Sequence, residues 1–144
     1  MSTKPDYQFL KELNPEGTTW ISLIQDLSSI NNSLLPKFYA WKSEKASSTS
    51  NKLKHEHKVL MECEGEGVPK IEWAGTIDDK NMIVMELLGN NLQYYHNQWN
   101  NKFSLKTTLI LFDHILGRIS SIHNKGYLHR NIKPENFMMG LNDK

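Results

Sequence analysis

Eight consecutive residues near the end of the chain hold much of its candidate chemistry: His129-Arg130-Asn131-Ile132-Lys133-Pro134-Glu135-Asn136. Asn131 can hydrogen-bond a hydroxyl group but cannot take up a proton at neutral pH. Lys42 and Glu56 form a second candidate pair, one on a strand-like stretch and the other on a helix-like one. The alternative for that pair is a solvated surface contact, which is worth little. His55-Glu56-His57 raises a metal site, but residues two apart on a helix do not share a face. No H-E-x-x-H pattern or cysteine cluster supports it, so a structural or surface role is expected. His114 and His123 fall on a long helical stretch and read the same way. Cys63 has no neighbouring base in sequence and is expected to be a helix residue facing the core. Tyr94, Tyr95 and Trp99 fit either a contact surface or ordinary packing.

The elements that must position these residues follow from pattern. Tyr7 to Leu13 partly alternates as a strand, and Asn14-Pro15-Glu16-Gly17 follows as a turn. Trp20 to Ile24 is a second strand, so the two suggest a hairpin. The polar run from Asp26 to Ser33 is a loop. Lys37 to Lys42 is aromatic-rich and suits a third strand, with Pro36 at its start. Ala46 to Asn51 is rich in Ser and Thr. Leu53, Glu56, Val59, Leu60 and Cys63 then recur at helical spacing from Lys52 to Cys63, and Gly65, Gly67 and Pro69 end that helix. Lys70 to Thr76 and Met82 to Leu88 read as two more strands, joined by a turn at Asp78-Asp79-Lys80-Asn81; Gly89-Asn90-Asn91 breaks the chain. From Ser104, a capping residue, an apolar face runs through Leu105, Thr108, Leu109, Phe112, Ile115, Leu116, Ile119 and Ile122. Asn124-Lys125-Gly126 stops it. Five strands with one inserted helix, followed by helices, is an α+β order.

Composition narrows the class. The chain has 144 residues, 38% of them apolar, and a formal net charge of +1, which suits one small globular domain or part of a larger one. A near-neutral balance supplies no basic footprint for nucleic acid. The single cysteine leaves no internal disulfide framework and fits a reducing, intracellular compartment. No apolar run approaches the roughly 18–20 residues a membrane-spanning helix needs, and Met1 to Tyr7 has no signal-peptide core. Neither a nucleic-acid nor a membrane partner is expected.

The stretch from His129 to Asn136 matches the protein kinase catalytic loop, H-R-D-x-x-x-x-N, at every anchor but one. Its flanks resemble casein kinase I more narrowly. Phe103-Ser104-Leu105-Lys106-Thr107, Ser121-Ile122-His123-Asn124-Lys125 and Asn136-Phe137-Met138-Met139-Gly140 are similar to that family's segments in the same order. Gly67-Val68-Pro69 and Met85-Glu86-Leu87-Leu88-Gly89 are too. The resemblance is strong from about Lys52 onward and thin before it. It implies a kinase-like α+β fold. Residues 1–88 would form a five-stranded antiparallel N-lobe with one helix, and residues 89–144 the hinge exit and first helices of an incomplete C-lobe. It also implies ATP and Mg²⁺ as ligands, with phosphoryl transfer to serine or threonine of a protein substrate. Tyr39-Ala40-Trp41-Lys42 corresponds to V-A-I-K: Ala40 would lie above adenine, and Lys42 would contact phosphates and pair with Glu56. Lys42-Ser43-Glu44 keeps the family's Lys-x-Glu. Met85 would be the gatekeeper, with backbone groups of Glu86 and Leu88 bonding the adenine edge. Lys133 would steady the transferring phosphate, Asn136 would bind the second Mg²⁺, and His129 would brace the loop.

Three departures from the family pattern lower the expected activity. One glycine, Gly17, stands where G-x-G-x-x-G belongs, beside a proline without an N–H and an acidic Glu16. Asn131 replaces the aspartate that would orient the substrate hydroxyl and accept its proton. The sequence also ends at Lys144, before the D-F-G segment and its metal-binding aspartate. In addition to these three, Gln93 and Tyr94 stand where the family usually has acidic residues, one of which serves the ribose. The expectation is a kinase by family that is catalytically impaired. The alternative is a regulatory module that binds a protein partner through the exposed face of its long helix.

Overall fold

The computed structural model describes residues 6–14, 20–28, 35–47 and 52–141. The expected turn at residues 15–17 with its single Gly17, most of the 26–33 loop, and the Ser/Thr-rich residues 48–51 lie outside them. Two compact units emerge: Met1–Met61 with Pro69–Leu87, and Glu62–Val68 with Leu88–Lys144.

The first unit is a five-stranded antiparallel sheet with one helix. Its strands are β1 (Tyr7–Asn14), β2 (Trp20–Asp26), β3 (Lys37–Lys45), β4 (Ile71–Ile77) and β5 (Lys80–Glu86), in the order β1-β2-β3-β5-β4. Helix α1 (Lys52–Glu62) connects β3 to β4. β3 runs three residues beyond the expected Lys42, because Ser43 and Glu44 are buried and keep the ladder to β5. The β4–β5 turn is tighter than expected. Asp78 and Asp79 both take positive φ, 47° and 57°, the backbone twist that two-residue hairpins favour. β5 therefore starts at Lys80 and ends at Glu86 instead of running from Met82 to Leu88. Ile24, Leu53, Ile83 and Val84 are almost fully buried and form the centre of this unit.

The second unit contains α2 (Leu92–Gln98), α3 (Leu105–Asn124) and a 3₁₀ turn at Pro134–Asn136. Asn91 caps α2 by accepting from the Tyr94 N–H, and Ser104 caps α3 by accepting from the Thr107 N–H; each such cap contributes about 1 kcal/mol. At the far end of α3, Gly126 takes φ +82°. Its N–H donates to the His123 carbonyl and the Tyr127 N–H to the Ile122 carbonyl, which satisfies two orphan carbonyls of the last turn. Cys63 is buried as expected, but one residue past the end of α1. The apolar face of α3 is only partly covered: Ile119 is buried, while Leu105, Leu109, Phe112 and Leu116 are exposed.

Residues 62–68 pack with α3 through several polar contacts. Arg118 pairs with Glu66 at 2.5 Å, and the Lys125 ammonium donates to the Glu64 carbonyl at 2.6 Å. The Tyr127 hydroxyl donates to the Glu62 carboxylate. That hydrogen bond, reinforced by partial burial, raises the Tyr127 pKa, and the hydrogen bond from Arg118 lowers that of Glu66. Gly67 is forced by its surroundings. Its φ is +85°, and a Cβ there would stand 2.1 Å from Cδ of Arg118.

Candidate functional site

In the first unit, strand alternation places Ala40, Lys42 and Glu44 on one face of β3. Register sets Ala40 between Leu23 of β2 and Met85 of β5, and Lys42 between Ile21 and Ile83. Directly opposed residues share a face, so Leu23, Ala40 and Met85 form a small apolar patch beside the Lys42 ammonium. Lys42 reaches α1, where its Nζ donates to both carboxylate oxygens of Glu56 at 2.7 and 2.6 Å. Both side chains remain partly accessible, 22% for Lys42 and 36% for Glu56. The pair thus adds little stability and stays open to an anionic ligand. Glu44 is only 3% exposed and accepts a hydrogen bond from the Leu53 N–H at 3.3 Å. At the end of β5, the Glu86 N–H donates to the Lys70 carbonyl at 2.8 Å. The Glu86 side chain also accepts from the Lys70 N–H at 3.3 Å.

In the second unit, Leu88 is half-buried, and the backbone after it pairs with the segment that follows Asn136. The Gly89 N–H donates to Met139 at 2.8 Å, the Leu92 N–H to Phe137 at 2.9 Å, and the Met139 N–H to Asn90 at 3.0 Å. That pairing ties the Leu88 end of the chain to the polar loop. Within the loop, the imidazole of His129 stacks on Phe137 with centroids 5.8 Å apart and an interplanar angle of 14°. Its Nδ1 accepts from the Asn131 N–H at 3.3 Å. Arg130 takes φ +60°, a conformation that costs a non-glycine residue about 1 kcal/mol or more. The Asn136 amide nitrogen donates to the Asn131 carbonyl at 2.7 Å, and its carboxamide oxygen remains an acceptor. Asn131, Lys133 and Asn136 are all exposed.

A protein kinase domain model matches residues 30–144, well over half of the chain. The chain belongs to the protein kinase family. The five-stranded antiparallel sheet with three helices is the α+β architecture expected for an N-lobe and part of a C-lobe. The kinase family generally uses ATP and Mg²⁺, and the residues present fit a nucleotide better than a metal. Lys42 and Glu56 are joined, and the small Ala40 has apolar neighbours. For the metal, among the described residues no three His, Cys, Asp or Glu side chains gather around a common point.

Several contacts of this kinase domain were not read from the sequence. Leu23 becomes visible only through the β2–β3 register, and Phe137 as the support of His129 only through the stacked rings. The Tyr127–Glu62 bond joins residues 65 apart, and no local pattern signals it. Tyr95 lies 5.4 Å from Tyr94 and 6.0 Å from Trp99, and Trp99 lies 5.6 Å from Phe103. Packing therefore accounts for part of this aromatic group, with Tyr94 and Trp99 still half-exposed.

Proposed function

We propose that this chain is a casein kinase I-like serine/threonine protein kinase domain that retains nucleotide engagement and transfers phosphate poorly. The observation that carries this reading is the Lys42–Glu56 pair at 2.6–2.7 Å, since a lysine held by a helix glutamate is the kinase means of gripping the α- and β-phosphates. Ala40 and Met85 would contact the adenine, with backbone groups of Glu86 and Leu88 at its edge. Residues 1–88 would serve as N-lobe and residues 89–144 as the start of the C-lobe. ATP with Mg²⁺ would supply the phosphoryl group and screen its charge, with Asn136 offering a metal ligand. Lys133 would neutralise charge on the transferring phosphate. Asn131 would orient a protein hydroxyl without accepting its proton, so chemistry would be slow. The single thiol is consistent with an intracellular setting, and no helix among the described residues is long and apolar enough to cross a membrane.

A second reading, a pseudokinase that binds a regulatory protein, draws on the exposed Leu105, Leu109, Phe112 and Leu116 of α3. Two measurements separate the readings: thermal shift with MgATP, and transfer of radiolabelled phosphate to an acidic protein such as casein. The kinase reading expects a shift that Lys42→Met removes, with transfer weak in the natural chain and raised in Asn131→Asp. A shift without transfer, even in Asn131→Asp, favours the pseudokinase. No shift at all refutes nucleotide engagement.

A further inference from the structure

Glu44 is among the few polar residues buried in the first unit, with 3% of its surface accessible. A buried carboxylate is costly unless something compensates its charge. Among the described residues no lysine, arginine or histidine forms an ion pair with it; its recorded partner is the Leu53 N–H at 3.3 Å. Leu53 is the second residue of α1, and its N–H is one of the four that a helix start leaves unsatisfied. The helix dipole also favours a negative charge at that end. Glu44 therefore binds the start of α1 by its backbone, and Leu53, 2% exposed, seats the same turn in the core.

Its place relative to the Lys42–Glu56 pair matters more than the bond alone. Glu44 and Lys42 are two residues apart on one face of β3, a separation of about 6.7 Å. Leu53 and Glu56 are three apart on one side of α1, a rise of about 4.5 Å. From Lys42 to Glu44 along the strand the helix partner steps back from Glu56 to Leu53, so the two contacts form two rungs between a strand and a helix of opposite direction. One ion pair between two long side chains sets the height and rotation of the helix only loosely. A second rung, made to the helix backbone, adds to the seating of Leu53 and restrains both motions.

We infer that Glu44 is a positioning residue that holds α1 at the height and rotation at which Glu56 meets Lys42. The inference rests on the proposed role of that pair in nucleotide binding, but its geometric content can be tested without nucleotide. In the full chain, the nuclear Overhauser contact between the Lys42 Cε protons and the Glu56 Cγ protons reports the pair. Amide exchange at Leu53 reports the cap.

Glu44→Ala is expected to raise Leu53 exchange about tenfold and to reduce the Lys42–Glu56 contact by half or more. Glu44→Gln, which keeps an acceptor oxygen at the same reach, should restore most of both. Glu44→Asp keeps the charge but shortens the reach by one methylene, and gives the same reading as alanine if Glu44→Ala does not fold. An unchanged Lys42–Glu56 contact in a folded alanine or aspartate variant overturns the inference, as does failure of Gln to rescue it. MgATP titration of the same variants is read separately. If the natural chain binds no nucleotide, the functional reading fails while the Overhauser result still decides the role of Glu44.

Discussion

At the scale of single residues, one of the departures from the family pattern can be reversed by a single substitution. In the proposed kinase reading Asn131 would stand where a carboxylate accepts the substrate proton, and its backbone is already held by His129 and Asn136. A carboxylate introduced there needs no new loop geometry. Asn131→Asp is expected to raise phosphoryl transfer by roughly 10²- to 10⁴-fold, the range general-base groups contribute, measured as initial rate with MgATP and casein. Tyr7 makes a separate prediction about pH. Burial, followed by the negative charge of Asp26, pushes its pKa up to about 12. A raised tyrosine pKa means that the unfolded chain loses its proton first as pH rises. Stability from this group is full below pH ~10 and declines as pH climbs toward about 12. Tyr7→Phe should flatten that alkaline decline in the melting temperature, although Tyr39, also raised by burial, keeps part of it.

Elements differ in how far their residues announce them. The α3 helix was legible from its ends inward, because Ser104 and Gly126 are local signals and the structure uses both. The last third of β3 was not. Ser43-Glu44-Lys45 looks like the polar end of a strand, and the burial that makes it strand comes from β5 and from α1. The seven residues of α2 have no apolar period and were expected only through family resemblance; the Asn91 cap and contacts among Tyr95, Trp99 and Phe103 support them instead. The candidate site divides the same way. Lys42, Glu56 and the His129 loop were picked out by their resemblance to kinase motifs, and the structure joins the first two, whereas Leu23, Phe137 and Tyr127 depend on partners distant in sequence. For the 62–68 segment, Gly67→Ala would both strain a positive φ and press on Arg118, the partner of Glu66. It should cost upward of about 1 kcal/mol, seen as a lower urea midpoint with an unchanged slope.

For the whole molecule, the dominant fact is how much large apolar surface is accessible. Leu105 is 75% exposed, Leu109 58% and Phe112 59%, all on α3. Apolar area of that kind favours burial by roughly 25 cal/mol per Å², so the isolated chain should self-associate as concentration rises. Replacing Leu109 and Phe112 with glutamate should shift the sedimentation profile toward monomer while leaving the melting temperature within a few degrees. A marked loss of melting temperature would mean that these side chains already pack within the fold.

The only sulfhydryl in the chain carries a further consequence. Cys63 is 4% accessible, at the point where α1 gives way to the segment tied to α3. A shielded thiol reacts with an aromatic disulfide reagent only when its surroundings open. Its labelling rate is therefore a built-in clock for that opening, read from the absorbance of the aromatic thiolate that the reagent releases. Tyr127→Phe, which removes the hydroxyl bonded to Glu62 next to it, should make the clock run faster by severalfold. An unaltered rate would mean that this junction opens independently of the tyrosine.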